Sequence, residues 1–144
     1  MKKYSFASFC FAVLLIFISG CQADDSYLKE EATAQKRSNS ENGVTIKTEK
    51  AEYPTSVQEI IVEIQNDNNK EYTTGIHVFL EKKVADTWYK VPMKEEAFTN
   101  QGIIHSPNKL SSLSLNVNDL KNKLTPGEYR ATIGGLAAPF EVVE

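Results

Sequence analysis

Residues 44–65, VTIKTEKAEYPTSVQEIIVEIQ, alternate between apolar and polar side chains in two successive runs. An alternation with period two places every second side chain on the same face of an extended strand. Between the runs lies Pro54, which cannot donate to a strand ladder and is typical of a turn. The stretch therefore predicts two strands, each with one buried face. The inward-facing residues are Val44, Ile46, Thr48, Ile60, Val62 and Ile64.

The same short alternations continue to the end of the chain, with turn residues between them. Helical turns are predicted only at residues 94–98 and 119–124. About eight short strands and no long helix indicate an all-β antiparallel sandwich. The further predicted strands cover residues 72–82 (core face Ile76, Val78 and Leu80), 87–91, 102–105, 112–117 and 128–133, with a last strand around Phe140 and Val142.

The first twenty residues have the pattern of an export signal. Lys2 and Lys3 precede an uncharged, mostly apolar run over residues 4–18. This run is shorter than the roughly 20 apolar residues that a membrane-spanning helix needs. We therefore expect residues 1–20 to be a signal peptide.

The signal ends in Ile18, Ser19, Gly20 and Cys21, which resembles the bacterial lipobox. The resemblance implies cleavage between Gly20 and Cys21 and acylation of Cys21. Two acyl chains hold a protein on a bilayer where one holds it only marginally. We expect a lipid anchor that keeps the protein at the extracytoplasmic face of the cell membrane. The alternative is an ordinary secreted protein in which Cys21 merely lies near the cleavage site.

Residues 21–43 contain almost no large apolar side chain. Such a segment buries too little surface to offset its ordering entropy, so we predict a flexible tether with a span of about 25–30 Å. A marginal helix over residues 27–36 is the alternative. Residues 44–144 are then the folded domain.

The composition excludes several classes of protein. The only other cysteine, Cys10, lies in the signal peptide, so the mature domain has no disulfide available. Without Lys2 and Lys3 the chain carries 14 basic and 19 acidic side chains, with no polybasic patch. Nucleic acid is therefore not an expected partner.

No group of residues has the spacing of a catalytic or metal site. His77 and His105 lack a serine at an elbow, and we interpret them as surface residues. Together with Met93 they could be soft or borderline metal ligands, but their spacing fits no metal motif. The acidic pairs at residues 24–25 and 95–96 and the Asn-rich run at 66–69 resemble solvated turns more than calcium loops. We predict no enzyme activity, no cofactor and no metal.

Six aromatic residues are candidates either for the core or for a partner surface. Aromatic side chains are enriched at protein interfaces, so an exposed Phe79 or Tyr89 would mark a binding site. Core packing is the more favoured role for each of them singly. The set is Tyr53, Tyr72, Phe79, Trp88, Tyr89 and Phe98.

Residues 124–129, LTPGEY, have the spacing of a tyrosine corner. In this motif a tyrosine at the start of a late strand returns its hydroxyl to the backbone a few residues upstream. Pro126 and Gly127 form the turn, Tyr129 supplies the ring, and Leu124 begins the motif.

Together with four other segments, this motif resembles a bacterial immunoglobulin-like domain found on surface lipoproteins of Gram-positive bacteria. The resemblance implies an immunoglobulin-like antiparallel β-sandwich of about seven to eight strands. It departs from antibody domains, because Trp88 lies one strand too late and no cysteine pair exists. The matching segments are residues 53–54, 66–72, 75 with 80–82, 88–92 and 124–130.

Fold alone does not fix function. The favoured hypothesis is a membrane-anchored, non-enzymatic domain that binds a protein partner or the cell envelope. The alternative is a surface inhibitor, or an exclusion or immunity lipoprotein, that blocks a protease, a phage or a toxin. An envelope metal carrier is a third and weaker hypothesis.

Overall fold

The alternating residues 44–65 form two paired strands in the computed structural model, which describes residues 23–144. The expected signal peptide lies outside these described residues. Eleven strands and one turn of 3-10 helix, Val117–Asp119, make up the described chain. The strands are β1 Ser40–Glu41, β2 Val44–Thr48, β3 Glu52–Pro54, β4 Glu59–Asn66, β5 Tyr72–Gly75, β6 Phe79–Val84, β7 Thr87–Lys90, β8 Gly102–His105, β9 Lys109–Asn116, β10 Gly127–Ile133 and β11 Leu136–Val143.

Two main sheets and one small sheet hold these strands. The first has the order β1-β2-β4-β9, the second β3-β11-β10-β6-β7, and the small one pairs β5 with β8. All pairs are antiparallel except β3 with β11. The all-β sandwich is confirmed. The predicted helical turns at 94–98 and 119–124 are wrong, because the only helical turn among residues 23–144 is the 3-10 helix, whose first turn is capped by Asn116.

The core lies between the two main sheets, as the alternation predicts. The inward-facing residues of β2 and β4 are all buried, Thr48 included. On the opposite sheet Tyr129 is fully buried and stacks on Phe140, at 5.6 Å between ring centroids. Phe140 also meets Tyr53 edge-on at 5.5 Å. The three rings fill the centre of a domain that has no disulfide in its described part.

Two strand predictions need correction. The predicted single strand over residues 72–82 is two strands, because β5 pairs with β8 whereas β6 pairs with β10. The chain changes sheets between Gly75 and Phe79, and Ile76 is only half-buried as a result. Pro54 does not interrupt pairing. It ends β3 at the edge of the five-stranded sheet, where a missing N–H group costs nothing.

The predicted flexible tether is wrong over residues 24–43, and so is the alternative helix at 27–36. This segment lies along the sandwich, where Ala32 is buried and Leu28 packs against the core. Its end forms β1, which pairs with β2. The folded unit therefore begins well before residue 44. We call residues 24–41 the docked segment.

Candidate functional site

A groove crosses the outer face of the five-stranded sheet. Its floor is formed by Phe79 and Glu81 of β6 and by Thr132 of β10. Arg37 of the docked segment lines one side, and the irregular stretch 92–98 lines the other. The groove encloses about 610 Å³. We call it the aromatic groove, after the aromatic side chains at one of its ends.

Three rings form a cluster at this end of the groove. The Phe79 and Phe98 rings meet edge-on, with their centroids 5.1 Å apart. The His77 ring lies 4.7 Å from the Phe98 ring and 6.2 Å from the Phe79 ring. Phe79 is 37% exposed, although it belongs to a strand paired on both sides. The cluster is therefore an apolar surface in contact with solvent.

His77 contributes a polar atom to this apolar cluster. Its Nε2 atom is buried and has no hydrogen-bond partner among residues 23–144. A buried ring nitrogen without a partner is costly, because its desolvation is not offset. His77 is not the surface residue that the sequence suggested, because it lies half-buried in the linker between β5 and β6.

Charges of both signs surround the floor. Glu81 is buried, with an ion pair to Arg130 and a contact from Arg37 at 3.6 Å between Nε and Oε1. Glu81 is buried because the docked segment covers it, with Arg37 against its carboxylate. The Arg130 guanidinium also lies 4.3 Å above the centre of the Trp88 ring. The negative charge of Glu81 at the floor of the groove is therefore neutralised.

The rim of the groove carries exposed ion pairs. Lys121 contacts Glu96 at 2.8 Å, and Lys90 contacts Glu30. The hydrogen bond from Lys121, followed by its positive charge, lowers the pKa of the Glu96 carboxyl. These pairs present donors and acceptors to a ligand without giving the rim one dominant sign.

The docked segment extends the edge of the five-stranded sheet. Ala32 N donates to Trp88 O and Lys90 N donates to Glu30 O, both at 2.8 Å. The Arg130 guanidinium then donates to the carbonyl groups of Ala34 and Gln35, at 2.6 and 2.9 Å. An open strand edge is a template for unwanted pairing, and here the chain covers its own β7 edge.

The start of the docked segment closes one end of the sandwich. Lys82, only 1% exposed, points between the sheets. Its Nζ atom donates to Asp25 at 2.6 Å and to Thr125 Oγ1 at 2.7 Å, and lies 5.4 Å from the Tyr129 ring centre. Beside it, burial raises the pKa of Tyr27 to about 12. Asp25 thus neutralises a charge that the fold buries.

The residues of the predicted tyrosine corner lie at this same end. The Tyr129 hydroxyl donates to Thr125 O at 2.8 Å and accepts from Thr125 N at 3.2 Å. Leu124 is buried in the core. Gly127 has φ +149°, and a Cβ atom there would lie 2.8 Å from Lys82 Cε. Only glycine fits this approach of the turn to the buried lysine.

His105 is not the surface residue that the sequence suggested. It is 1% exposed, between Thr74 and Ser111. Nε2 lies 2.8 Å from Thr74 Oγ1, and Nδ1 lies 2.6 Å from Ser111 Oγ. Burial lowers the pKa of this ring, which favours the neutral form. Both nitrogens are satisfied by hydroxyl groups, and no carboxylate of residues 23–144 bonds to the ring, so the arrangement does not resemble a catalytic triad.

The suggested metal and calcium ligands do not converge. Within residues 23–144 no three His, Cys, Asp or Glu side chains lie close enough together to hold a metal ion. The Asn-rich turn has a structural arrangement instead. Asn66 is buried and donates to the carbonyl groups of Lys70 and His105, at 2.9 and 3.1 Å.

The predicted lipid attachment site, Gly20 and Cys21, lies outside the described residues. From residue 23 onward, the chain contains no helix of sufficient length and apolarity to cross a bilayer. Sequence reasoning missed Asp25, Lys82, Arg37, Glu81 and Arg130. Its one usable signal was that Lys82 is in phase with Leu80, on the face that points to the core.

Solved structures similar to the chain include β-glucosidases from Erythrobacter marinus (14% identity, TM-score 0.43) and from Listeria innocua (16% identity, TM-score 0.37). A glycoside hydrolase family 3 exo-β-xylosidase matches at 12% identity with a TM-score of 0.35. In each case 70% of this chain is covered, and the chain spans 15%, 16% and 17% of the three enzymes' lengths, in that order.

No curated protein matches the chain. The model of one family, the bacterial Ig-like domain, matches residues 40–133. This match covers well over half of the sequence and strands β1 to β10, and only β11 lies beyond it. The chain therefore belongs to the bacterial Ig-like domain family.

Proposed function

We propose that the protein is a lipoprotein anchored at Cys21 to the extracytoplasmic face of the cell membrane. Its Ig-like domain acts there as a non-enzymatic module that binds an envelope protein through the aromatic groove. The observation that carries the binding role is the exposed Phe79 ring, packed edge-on against Phe98. The lipid anchor is supported by the sequence of residues 18–21.

The groove has the composition of a protein-binding surface. Aromatic residues, methionine and arginine are enriched at interfaces, and the groove contains Phe79, Phe98, Met93 and Arg37. Binding energy concentrates in a few apolar anchors, and polar groups around them exclude water. Phe79 fits the part of an anchor, because it lies on a strand and is paired there with Thr132 of β10.

The mixed rim favours a polypeptide partner over a strongly charged polymer. Lys121 and Glu96 offer a donor and an acceptor side by side, which suits the amide groups of a peptide. The membrane anchor would restrict the search for the partner to the membrane surface. Such confinement raises the effective concentration of a weak binder without any new contact.

The groove is tested by site-specific photocrosslinking in the intact lipoprotein. A photoreactive phenylalanine analogue at position 98, the other ring of the groove, should capture one envelope protein, and Phe79→Ser in the same background should reduce recovery of that protein at least tenfold. The matched control is Ile104→Ser, because Ile104 is an exposed apolar residue of β8, outside the groove. Ile104→Ser should recover the partner normally.

Two results would contradict this role. Equal recovery with Phe79→Ser and Ile104→Ser would show that the groove is not the binding surface. Phe79-dependent retention on purified cell wall, with no captured protein, would replace the protein partner by a wall polymer. If the captured protein is a protease, its activity in the complex distinguishes an inhibitor from an adaptor.

The lipid anchor is tested separately. Cys21→Ala should abolish the incorporation of radiolabelled palmitate and release the domain from the membrane fraction. Replacement of Cys10 by Ala is the matched control, because this cysteine precedes the expected cleavage site. Unchanged membrane partitioning of Cys21→Ala from which the signal peptide has been cleaved would refute the anchor and leave the groove experiment valid.

A further inference from the structure

We infer that the domain sits on the bilayer in one orientation, with the end that carries the tyrosine corner facing the lipid. This inference rests on the lipid anchor proposed above. It concerns the partner as well, because a fixed orientation determines how far from the membrane the aromatic groove lies.

Strand registers define the two ends of the sandwich. Gly127 pairs with Val142 at one end of the β10–β11 hairpin, and Ile133 pairs with Leu136 at the other. We call the first the corner end and the second the far end. Lys82 pairs with Tyr129, so the Asp25 ion pair lies toward the corner end.

The other main sheet has the same two ends. Thr55 N donates to Val143 O at 3.0 Å, so the turn that leads from β3 into β4 lies at the corner end, and Ser56 is part of this turn. The strand β4 therefore begins at the corner end. Asn66 at the opposite end of β4 pairs with Lys109, so the turn before β9, with Ser106, lies at the far end. Both serines are exposed.

The anchor is only four residues from this ion pair. A fully extended chain covers at most about 3.6 Å per residue, so Cys21 and Asp25 cannot be more than roughly 14 Å apart. A free tether over residues 21–43 would reach about 75 Å when extended and would impose no orientation. The short reach between Cys21 and the domain therefore requires that the docked segment stays bound to the sandwich.

The contacts of the docked segment hold it firmly at this end. Lys82 is buried, and release of Asp25 would leave its ammonium group without a carboxylate partner. Leu28 packs against the core and Ala32 is hydrogen-bonded to β7. Release would therefore expose apolar surface and open a strand edge together.

The orientation places the groove close to the lipid. Phe79 lies three residues beyond Lys82 along β6, which corresponds to roughly 10 Å toward the far end. Together with the reach from Cys21 and the side chains of the Asp25–Lys82 ion pair, this keeps the groove within a few tens of ångströms of the acylated cysteine. The partner is then the membrane-proximal part of a membrane-bound protein.

The test measures the depth of two single fluorophores on the acylated, full mature lipoprotein in phosphatidylcholine vesicles. Ser56→Cys and Ser106→Cys are conservative, exposed and matched, and each provides one thiol because Cys21 is acylated. Vesicles containing nitroxide-labelled headgroups should quench the label at position 56 at least twofold more than the label at 106. Insertion of a twelve-residue Gly-Ser linker after Gln22 should abolish this contrast.

Equal quenching at the two positions in vesicle-bound protein would overturn the orientation, and so would stronger quenching at 106. In those cases flotation with the vesicles shows that the anchor itself stands. A contrast that survives the Gly-Ser insertion would also overturn the inference, because the short reach would then not be its cause. Loss of flotation would refute the anchor, and the orientation with it.

Discussion

A single hydroxyl group closes the turn that leads into β10. The Tyr129 hydroxyl donates to the Thr125 carbonyl and accepts from the Thr125 amide, while its ring stacks on Phe140 in the core. The ring supplies buried apolar area and the oxygen satisfies two backbone groups of the turn. The role of this residue therefore divides into two parts that substitution can separate.

Tyr129→Phe should keep the ring and lose the hydroxyl. We expect a destabilisation of about 1–2 kcal/mol, since two backbone groups lose their partner at a partly buried site. Urea denaturation of the mature chain carrying Cys21→Ser measures it. Tyr72→Phe is the control, because the Tyr72 hydroxyl makes no hydrogen bond within residues 23–144. Equal effects of the two changes would contradict the role of the corner.

His105 should make the stability depend on pH. Burial lowers the pKa of its ring in the folded state, whereas the unfolded chain has an ordinary value near 6.5. The unfolded chain therefore binds the proton more readily, and the free energy of unfolding falls as the pH drops below about 6.5. His105→Gln should reduce the loss of stability between pH 7 and pH 5, measured from urea midpoints. An unchanged loss would contradict this assignment.

At the scale of elements, the strands could be predicted from alternation, but the contacts of charged residues could not. Ile60, Val62 and Ile64 show the buried face of β4 directly. Lys82 and Arg130 are satisfied by Asp25 and Glu81, which lie 57 and 49 positions away in the sequence. Such pairing follows from which strands become neighbours, and alternation within one strand contains no information about it.

The docked segment was missed for the same reason. It carries few apolar residues because it binds through backbone groups and charge, at Trp88, Lys90 and Arg130. Composition alone predicts disorder for such a segment. The buried lysine on β6 was the one sign that another part of the chain had to supply a carboxylate.

Similarly, the aromatic candidates were visible in the sequence, but the contact between Phe79 and Phe98 was not.

The ion pair between Asp25 and Lys82 should respond unequally to the loss of each partner. Asp25→Ala leaves a buried ammonium group with only a hydroxyl partner, and should cost about 2–3 kcal/mol. Lys82→Met leaves Asp25, whose side chain is 21% exposed and can be hydrated, so its cost should be smaller. The double variant should be more stable than Asp25→Ala. Additive effects in urea denaturation would show that the pair does not couple.

At the scale of the whole molecule, the family match and the folded unit have different boundaries. The match begins at residue 40, whereas the contacts that complete the sandwich begin at Asp25. A chain that starts at Ser40 keeps every strand from β1 to β11. It lacks the carboxylate on Lys82, the carbonyl groups on Arg130 and the cover on the β7 edge.

We therefore expect the chain that starts at Ser40 to fold but to be less stable than the chain from residue 23, by about 3 kcal/mol or more. This loss should at least equal that of Asp25→Ala, because the same ion pair disappears together with further hydrogen bonds. Urea midpoints of the two chains measure it, and a synthetic peptide of residues 23–39 should restore part of the loss. The same peptide with Asp25→Ala is the control and should restore less. Identical midpoints for the two chains would mean that the segment is a tether after all, and the domain would then have no fixed distance from its anchor.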